Sequence, residues 1–504
     1  RPSYGGTPSD ESVRQAIRDL KDRDHAVMLH PFIHMDIGAS NGLPDPYGDL
    51  QQAVFPWRGR ITANSLSDDK TASVQAQVNA FFDEFDSMVL HYASLAADEG
   101  GVDAIVLGSE LRGMTRLRDH LGNFPAVTRL KALAAQVRSI LPDAKISYGA
   151  DWSEYFGYQP SDGSGDVLYP LDAFWADQNV DFVGIDQYAP LTDWRDGDDH
   201  LDLSIGKGPY DLDYLQSRIA GGEGFDWYYA SSADRFAQVR TPISDGAYGD
   251  DWIFKPKDLQ SWWSNTHTER VGGVKTSATA WVPQSKPIWF TELGCAAIDK
   301  AANQPNVFVD PKSSESAVPY FSSGVRDDRS QRSCLEAYHL YWDNPANNPV
   351  SSVYGQPMVA TDRFYVYAWD ARPFPDFPAR SDVWADAENW VTGHWLNGRA
   401  GRIHLSTLIE TLAEEAGLSA CDASACTELL SGMTIAEPAP VREALEPLFD
   451  LYQLSCRSRD GMLIVEPRTG AAVAQIDEGD LVDDGEAAPL RLHRLQDDEI
   501  PNAL

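Results

Sequence analysis

Long apolar runs, cysteine and basic residues are what this 504-residue chain has least of. No apolar run reaches the roughly 18 residues of a spanning helix, which excludes membrane insertion through such a helix. Lys and Arg number 41 against 76 Asp and Glu, a formal charge of −35. Nucleic acid and anionic membrane both require clustered cations, so neither is expected as a partner. The five cysteines, 295, 334, 421, 426 and 456, form no paired CxxC spacing. Cys421 and Cys426 could bridge, but nothing suggests a disulfide framework, and folding in a reducing compartment fits best. No basic and apolar leader precedes Arg1-Pro2, so no signal peptide is read. The abrupt start and the end at Leu504 read as a segment of a longer polypeptide.

Other absences narrow the chemistry. The glycine cluster Gly221-Gly222-Glu223-Gly224 follows no strand, so it is a flexible loop rather than a dinucleotide cradle. His30 and His34 share a strand face but lack an obvious third ligand. Neither a cofactor nor a metal is therefore expected. No internal repeat or low-complexity tract is found.

What is present is a repeated design. Strands are read at 26–33, 104–109, 145–150, 181–187, 287–292 and 363–369, each apolar along its length and polar or aromatic only at its C-terminal end. Helices alternate with them: one opening at Thr7-Pro8, one with Val74, Val78, Phe81, Phe85, Met88, Tyr92 and Leu95 on a face, one through Leu130, Val137 and Ile140, and one near 327–342. Residues 37–70 are rich in Gly, Pro, Asn and Asp and read as a long loop. This alternation predicts an α/β fold with a parallel sheet buried on both faces. Chemistry-bearing residues follow nearly every strand, which favours a (β/α)8 TIM barrel over a doubly wound sheet. Six strands fall short of eight, and the first two are expected upstream of Arg1. The pattern changes near 400, so a barrel domain at 1–400 and a small, incomplete α+β domain at 401–504 are expected. The latter carries a helix over "HLSTLIETLAEEAGL", a second with Leu445 and Leu448, and a hairpin turning at Asp460-Gly461.

The strand "AIVLGS" runs into Glu110, and "KPIWFT" runs into Glu292. Counted back from the last strand as the eighth, these glutamates end the fourth and seventh. Glycosidic hydrolysis needs one carboxylic acid to protonate the leaving oxygen and one carboxylate to attack or activate water. Two such groups on facing strand ends satisfy that need. Asp151, Trp152, Asp186, Tyr188, Trp369 and His30 also lie at strand ends. Trp369 could stack on a pyranose face or serve as a core aromatic. Trp281, with Trp262, Trp263, Tyr155, Phe156 and Tyr158, could line extended subsites or pin the long 189–286 insertion.

The phrases "VMLHPFIHMD", "LGSELRGM", "GIDQYAPL", "TPISDGAYG", "KPIWFTELGC" and "NQPNVFVDPKSSES" resemble the glycosidase-like TIM-barrel domain of phage-tail host-specificity proteins of gene transfer agents. Residues 401–504 resemble, more weakly, the adjoining tail-hub domain. The resemblance implies a glycoside hydrolase-like barrel, with Glu110 as acid/base and Glu292 as nucleophile of a retaining pair. It implies Tyr188 as an orienting group and a sugar-binding Asn before the acid/base, a position held here by Ser109. It also implies a cell-surface or cell-wall oligosaccharide and other tail or baseplate proteins as partners. The corresponding location is the tail of a virion-like particle assembled in the cytoplasm. A non-catalytic carbohydrate adhesin and a purely structural tail component are the alternatives.

Overall fold

Apolar strands separated by amphipathic helices assemble here into one parallel sheet. The computed structural model describes residues 7–468, apart from 370, 371, 373, 374, 385, 397–402, 419, 431, 432, 434 and 436–438. The sheet contains β1 (Met28–Leu29), β2 (Ala104–Ser109), β3 (Lys145–Asp151), β4 (Val183–Gln187), β5 (Ile288–Leu293) and β6 (Val359–Val366), hydrogen bonded in that order. A doubly wound sheet reverses its strand order at a switch point. This order never reverses, as the barrel reading requires.

Side chains alternate across the sheet. Ile105, Leu107, Ile185 and Phe290 belong to the main core, shared with helices α1 (Asp10–Asp22), α2 (Ser73–Asp98), α3 (Pro125–Ile140) and α4 (Asp328–Asp343). On the other face, Ala104, Val106, Phe182 and Trp289 form a separate cluster with Met28, Ala360 and Tyr365. That inner cluster joins both edge strands, β1 and β6, so the sheet is curled as a TIM-barrel-like half-barrel. Phe182 and Trp289 stack at its centre, ring centroids 3.9 Å apart.

Several elements differ from their predicted bounds. The first strand pairs only at Met28–Leu29, because His30 and Pro31 begin the chain's departure into the loop. The last pairs over Val359–Val366, which leaves Trp369 beyond its end. The first helix is capped by Ser9, whose hydroxyl accepts the Ser12 N–H at 3.1 Å, two residues after the expected Thr7. On α2 the fully buried ridge uses Phe82 and Val89, one residue along from Phe81 and Met88. All five cysteines are free thiols, so Cys421 and Cys426 are not bridged. No helix among the described residues is long and apolar enough to cross a membrane.

The chain divides into two compact units, Arg1–Gly401 and Arg402–Leu504. In the second, helices Leu405–Glu415 and Val441–Leu451 bury Leu405, Ile409, Leu445 and Leu448 against Leu454 and Val465 of an antiparallel pair. Asp460 and Gly461 make its turn with both φ angles positive.

Both glutamate-bearing strands carry irregularities just before the glutamate. Between β2 and β3 the register shifts from Val106↔Ser147 to Ser109↔Gly149, and between β4 and β5 from Ile185↔Phe290 to Asp186↔Glu292. Each shift inserts one extra residue, a bulge that re-aims the side chains beyond it. Gly108 makes the first possible: its φ is +150°, and a Cβ there would lie 2.6 Å from Cζ of Phe85. Gly108→Val should destabilise the barrel unit by about 2 kcal/mol or more through overpacking against α2. Denaturant unfolding measures this, and an unchanged midpoint would contradict the close approach.

Candidate functional site

The two bulged strands deliver their glutamates to one small volume. Glu110 follows β2 with φ +53°, a left-handed conformation costly for a non-glycine residue. It is held by its own N–H to Gly149 O at 2.8 Å and by the next N–H, Leu111, to the Tyr148 hydroxyl at 2.5 Å. Glu292 lies in β5, and Asp186 lies beside it in β4. One carboxylate oxygen from each of Glu110, Asp186 and Glu292 falls within 4.8 Å of the others. All three are buried, Glu110 at 6% and Glu292 at 8% exposure.

Three carboxylates so close repel one another. At 4.8 Å each like-charged pair costs about 3 kcal/mol at an effective dielectric near 20. The compensating charge is Arg58. Its Nη2 lies 3.0 Å from Glu110 Oε2, 3.4 Å from Glu292 Oε1 and 3.9 Å from Asp186 Oδ2. The same nitrogen donates to Ser109 Oγ at 2.7 Å, and Nε donates to Ser109 O at 3.1 Å. Among the described residues this is the one acidic group whose spacing would suit a metal ion, and the guanidinium already stands in it as the cation.

Trp57 completes the cover, its indole N–H donating to Glu110 Oε2 at 2.5 Å. The segment bearing Trp57 and Arg58 is tied down from 313–315. Ser313 Oγ donates to Phe55 O at 2.7 Å, the Ser314 N–H donates to Val54 O at 2.8 Å, and the Glu315 carboxylate accepts the Trp57 N–H. Phe32, after β1, lies under the Arg58 guanidinium at 4.8 Å. The sequence reading missed Trp57 and Arg58, taking 37–70 as a loop. The available signal was the apolar knot Val54-Phe55-Pro56-Trp57 within an otherwise polar stretch.

Tyr188, just past β4, donates to Glu292 Oε2 at 2.8 Å. That bond and Arg58 favour the anion, but burial outweighs them and Glu110 adds repulsion. The Glu292 carboxyl is pushed up to about 7. Burial hardly separates the two glutamates. Asp186 is raised well above the usual carboxylate range, chiefly by burial and then by Glu292 and Glu110.

The remaining predicted residues divide. Asp151, at the end of β3, is raised to about 6 by burial and by Glu110, which puts it within electrostatic reach; its carboxylate accepts the Ser153 N–H at 2.8 Å. The Trp152 N–H donates to Asp186 O at 3.1 Å, a backbone role. His30 lies near Arg58, which with burial lowers it to about 3, and its Nε2 has no hydrogen-bond partner. Trp281 is buried against Trp262 and His267, in an aromatic cluster that Asp172 anchors through His267 Nδ1 at 2.8 Å. It packs as core, and so does Trp262. Trp369 is 67% exposed, so it is a surface aromatic and not a core residue.

A TIM-barrel-like α/β protein with a buried, arginine-bridged carboxylate centre at the strands' C-terminal ends is the class this geometry defines. The chain belongs to the family described as "GTA TIM-barrel-like domain", whose model matches residues 83–378. Residues 440–504 match a second family model, described as "Putative phage tail protein". No curated protein matches the chain significantly. Among solved structures, a GH113 β-1,4-mannanase is similar at 14% identity and a TM-score of 0.31, over 66% of this chain and 64% of its own. A GH113 β-mannanase from Alicyclobacillus acidocaldarius is similar at 14% identity and a TM-score of 0.37, over 79% of this chain and 77% of its own. The chain spans just under two thirds of the first of these structures.

Tyr188→Phe removes a hydrogen bond that favours the ionised form of Glu292. Its titration midpoint should therefore rise from about 7, as read by carboxyl-carbon NMR of Glu-labelled protein. A midpoint that falls or stays fixed would show that the bond does not control the charge.

Proposed function

We propose that this chain is a tail-tip component of a phage-like particle whose barrel binds, and cleaves by a retaining two-glutamate mechanism, a glycan of the cell envelope. The observation that carries the reading is the approach of Glu110 and Glu292 to within 4.8 Å with one guanidinium between them. Retaining glycosidases hold their carboxyls about 5–5.5 Å apart, whereas inverting enzymes need about 6.5–9.5 Å to admit a water. In this reading Glu292 attacks the anomeric carbon while Glu110 protonates the departing oxygen. Water, activated by the Glu110 carboxylate, then releases the glycosyl group. Arg58 and Tyr188 support Glu292 in its anionic form. The tail-model match at 440–504 supports assembly of the C-terminal unit with other tail proteins and a place on a virion-like particle.

A second reading, a glycan-binding adhesin without turnover, is favoured by a specific observation. Trp57 and Arg58 lie over the pair, and the Ser109 hydroxyl that would face a sugar already accepts from Arg58. Both readings use the same centre and differ in whether a glycan displaces that cover.

A glycan array with a hydrolysis readout separates them. The wild-type chain should bind and cleave an envelope oligosaccharide with retention of anomeric configuration. Glu292→Gln should lower the cleavage rate by about 10³-fold or more while binding stays within a few-fold. Binding without cleavage by wild type leaves the adhesin reading, and neither binding nor cleavage contradicts both.

A further inference from the structure

Arg58 brings one positive charge to three buried carboxylates. With all three ionised, the centre would carry two uncompensated negative charges out of water. Its other neighbours do not make up the difference. Tyr188 and Thr291 donate neutral hydrogen bonds. Asp151 adds a further acid beside Glu110, and Arg112 stands 4.0 Å from Asp151 as its own counter-charge. Tyr367, from the end of β6, faces Arg58 and Tyr188 and brings no positive charge. His30, beyond β1, sits near Arg58 and is held neutral.

The three acids are not equivalent. Glu110 has the Trp57 indole N–H and Arg58 at 3.0 Å. Glu292 has the Tyr188 hydroxyl and Arg58 at 3.4 Å. Asp186 is wholly buried at 0% exposure, and its Oδ1 accepts from Thr291 Oγ1 at 2.6 Å. Its Oδ2 makes no hydrogen bond with the chain and stands 3.9 Å from the guanidinium. The geometry points to Asp186 as the neutral member of the centre, a positioning residue that stores one proton behind the glutamates and so limits the charge Arg58 must balance. Burial and the neighbouring glutamates raise its pKa in the direction this requires. The proposal concerns the centre's charge, and only its bearing on rate rests on the glycosidase reading.

An acid whose pKa is raised on folding binds its proton more tightly folded than unfolded. The stability it contributes is therefore present at low pH and is lost as pH rises from about 4, the unfolded value, through the raised folded value. An amide at this position would mimic the neutral acid and escape that loss, so the substitution tested is Asp186→Asn in the full chain. The variant's unfolding midpoint relative to wild type should climb by at least about 2 °C between pH 5 and pH 8. A difference that stays flat or falls overturns the proposal, since an ionised Asp186 paired with Arg58 would be missed more as pH rises. In infrared difference spectra of wild type minus Asp186→Asn at pH 7, a protonated carboxyl stretch should be lost in addition to the one that Glu292, at about 7, retains in both proteins. Equal protonated-carboxyl intensity in the two proteins overturns the assignment. Thr291→Val, which deletes the hydrogen bond favouring the anion, should carry the same stretch to higher pH, and an unmoved titration would again count against it. None of these readouts requires turnover. The stretch and the stability shift in a chain that cleaves nothing would support this proposal while the glycosidase reading alone failed.

Discussion

Two glutamates from distant strands and a buried aspartate can share one small volume only because Arg58 stands among them. Burial strips the carboxylates of water, and their mutual repulsion would otherwise drive them apart or protonate them. The guanidinium touches both glutamates from one nitrogen and reaches back to Ser109, so its position is fixed by the strand that carries Glu110. Removing it would leave the charges and take away the counter-charge, which is the costlier way to disturb a buried ion cluster. The site's geometry thus depends on a residue from an irregular loop.

That loop is held by local chemistry. Backbone and hydroxyl bonds from 313–315 fix 54–57, and the Glu315 carboxylate takes the Trp57 N–H. Meanwhile the sheet supplies precision from below. A register shift before each glutamate, a glycine where Phe85 leaves no space, and a left-handed Glu110 together turn strand-end side chains inward. Strain is concentrated where the carboxylates meet, and the surrounding core over-determines it.

The sheet was largely legible because buried parallel strands leave near-continuous apolar runs, and because each run stopped at a polar residue. Glu110, Glu292, Asp186 and Tyr188 could be found that way, being adjacent to strand ends. Arg58 could not. No periodicity marks a residue in an irregular segment, and its partners lie 51 and 234 residues away. Trp281 and Trp369 each kept two readings in the sequence for a related reason: aromatic identity does not say whether a ring enters a core, lines a cleft or faces water. The charge order of the acids was also illegible, since burial and a shared arginine decide it, and neither is written in the local sequence.

The most direct measurement is covalent trapping. A panel of glycosyl epoxides, each of which alkylates the nucleophile of a retaining glycosidase, is incubated with the intact chain and the product digested for mass spectrometry. The account predicts one added glycosyl mass, on the peptide "KPIWFTELGC" at Glu292. An unchanged mass across the panel, or a label on any other carboxylate, would contradict the assignment of Glu292 as nucleophile.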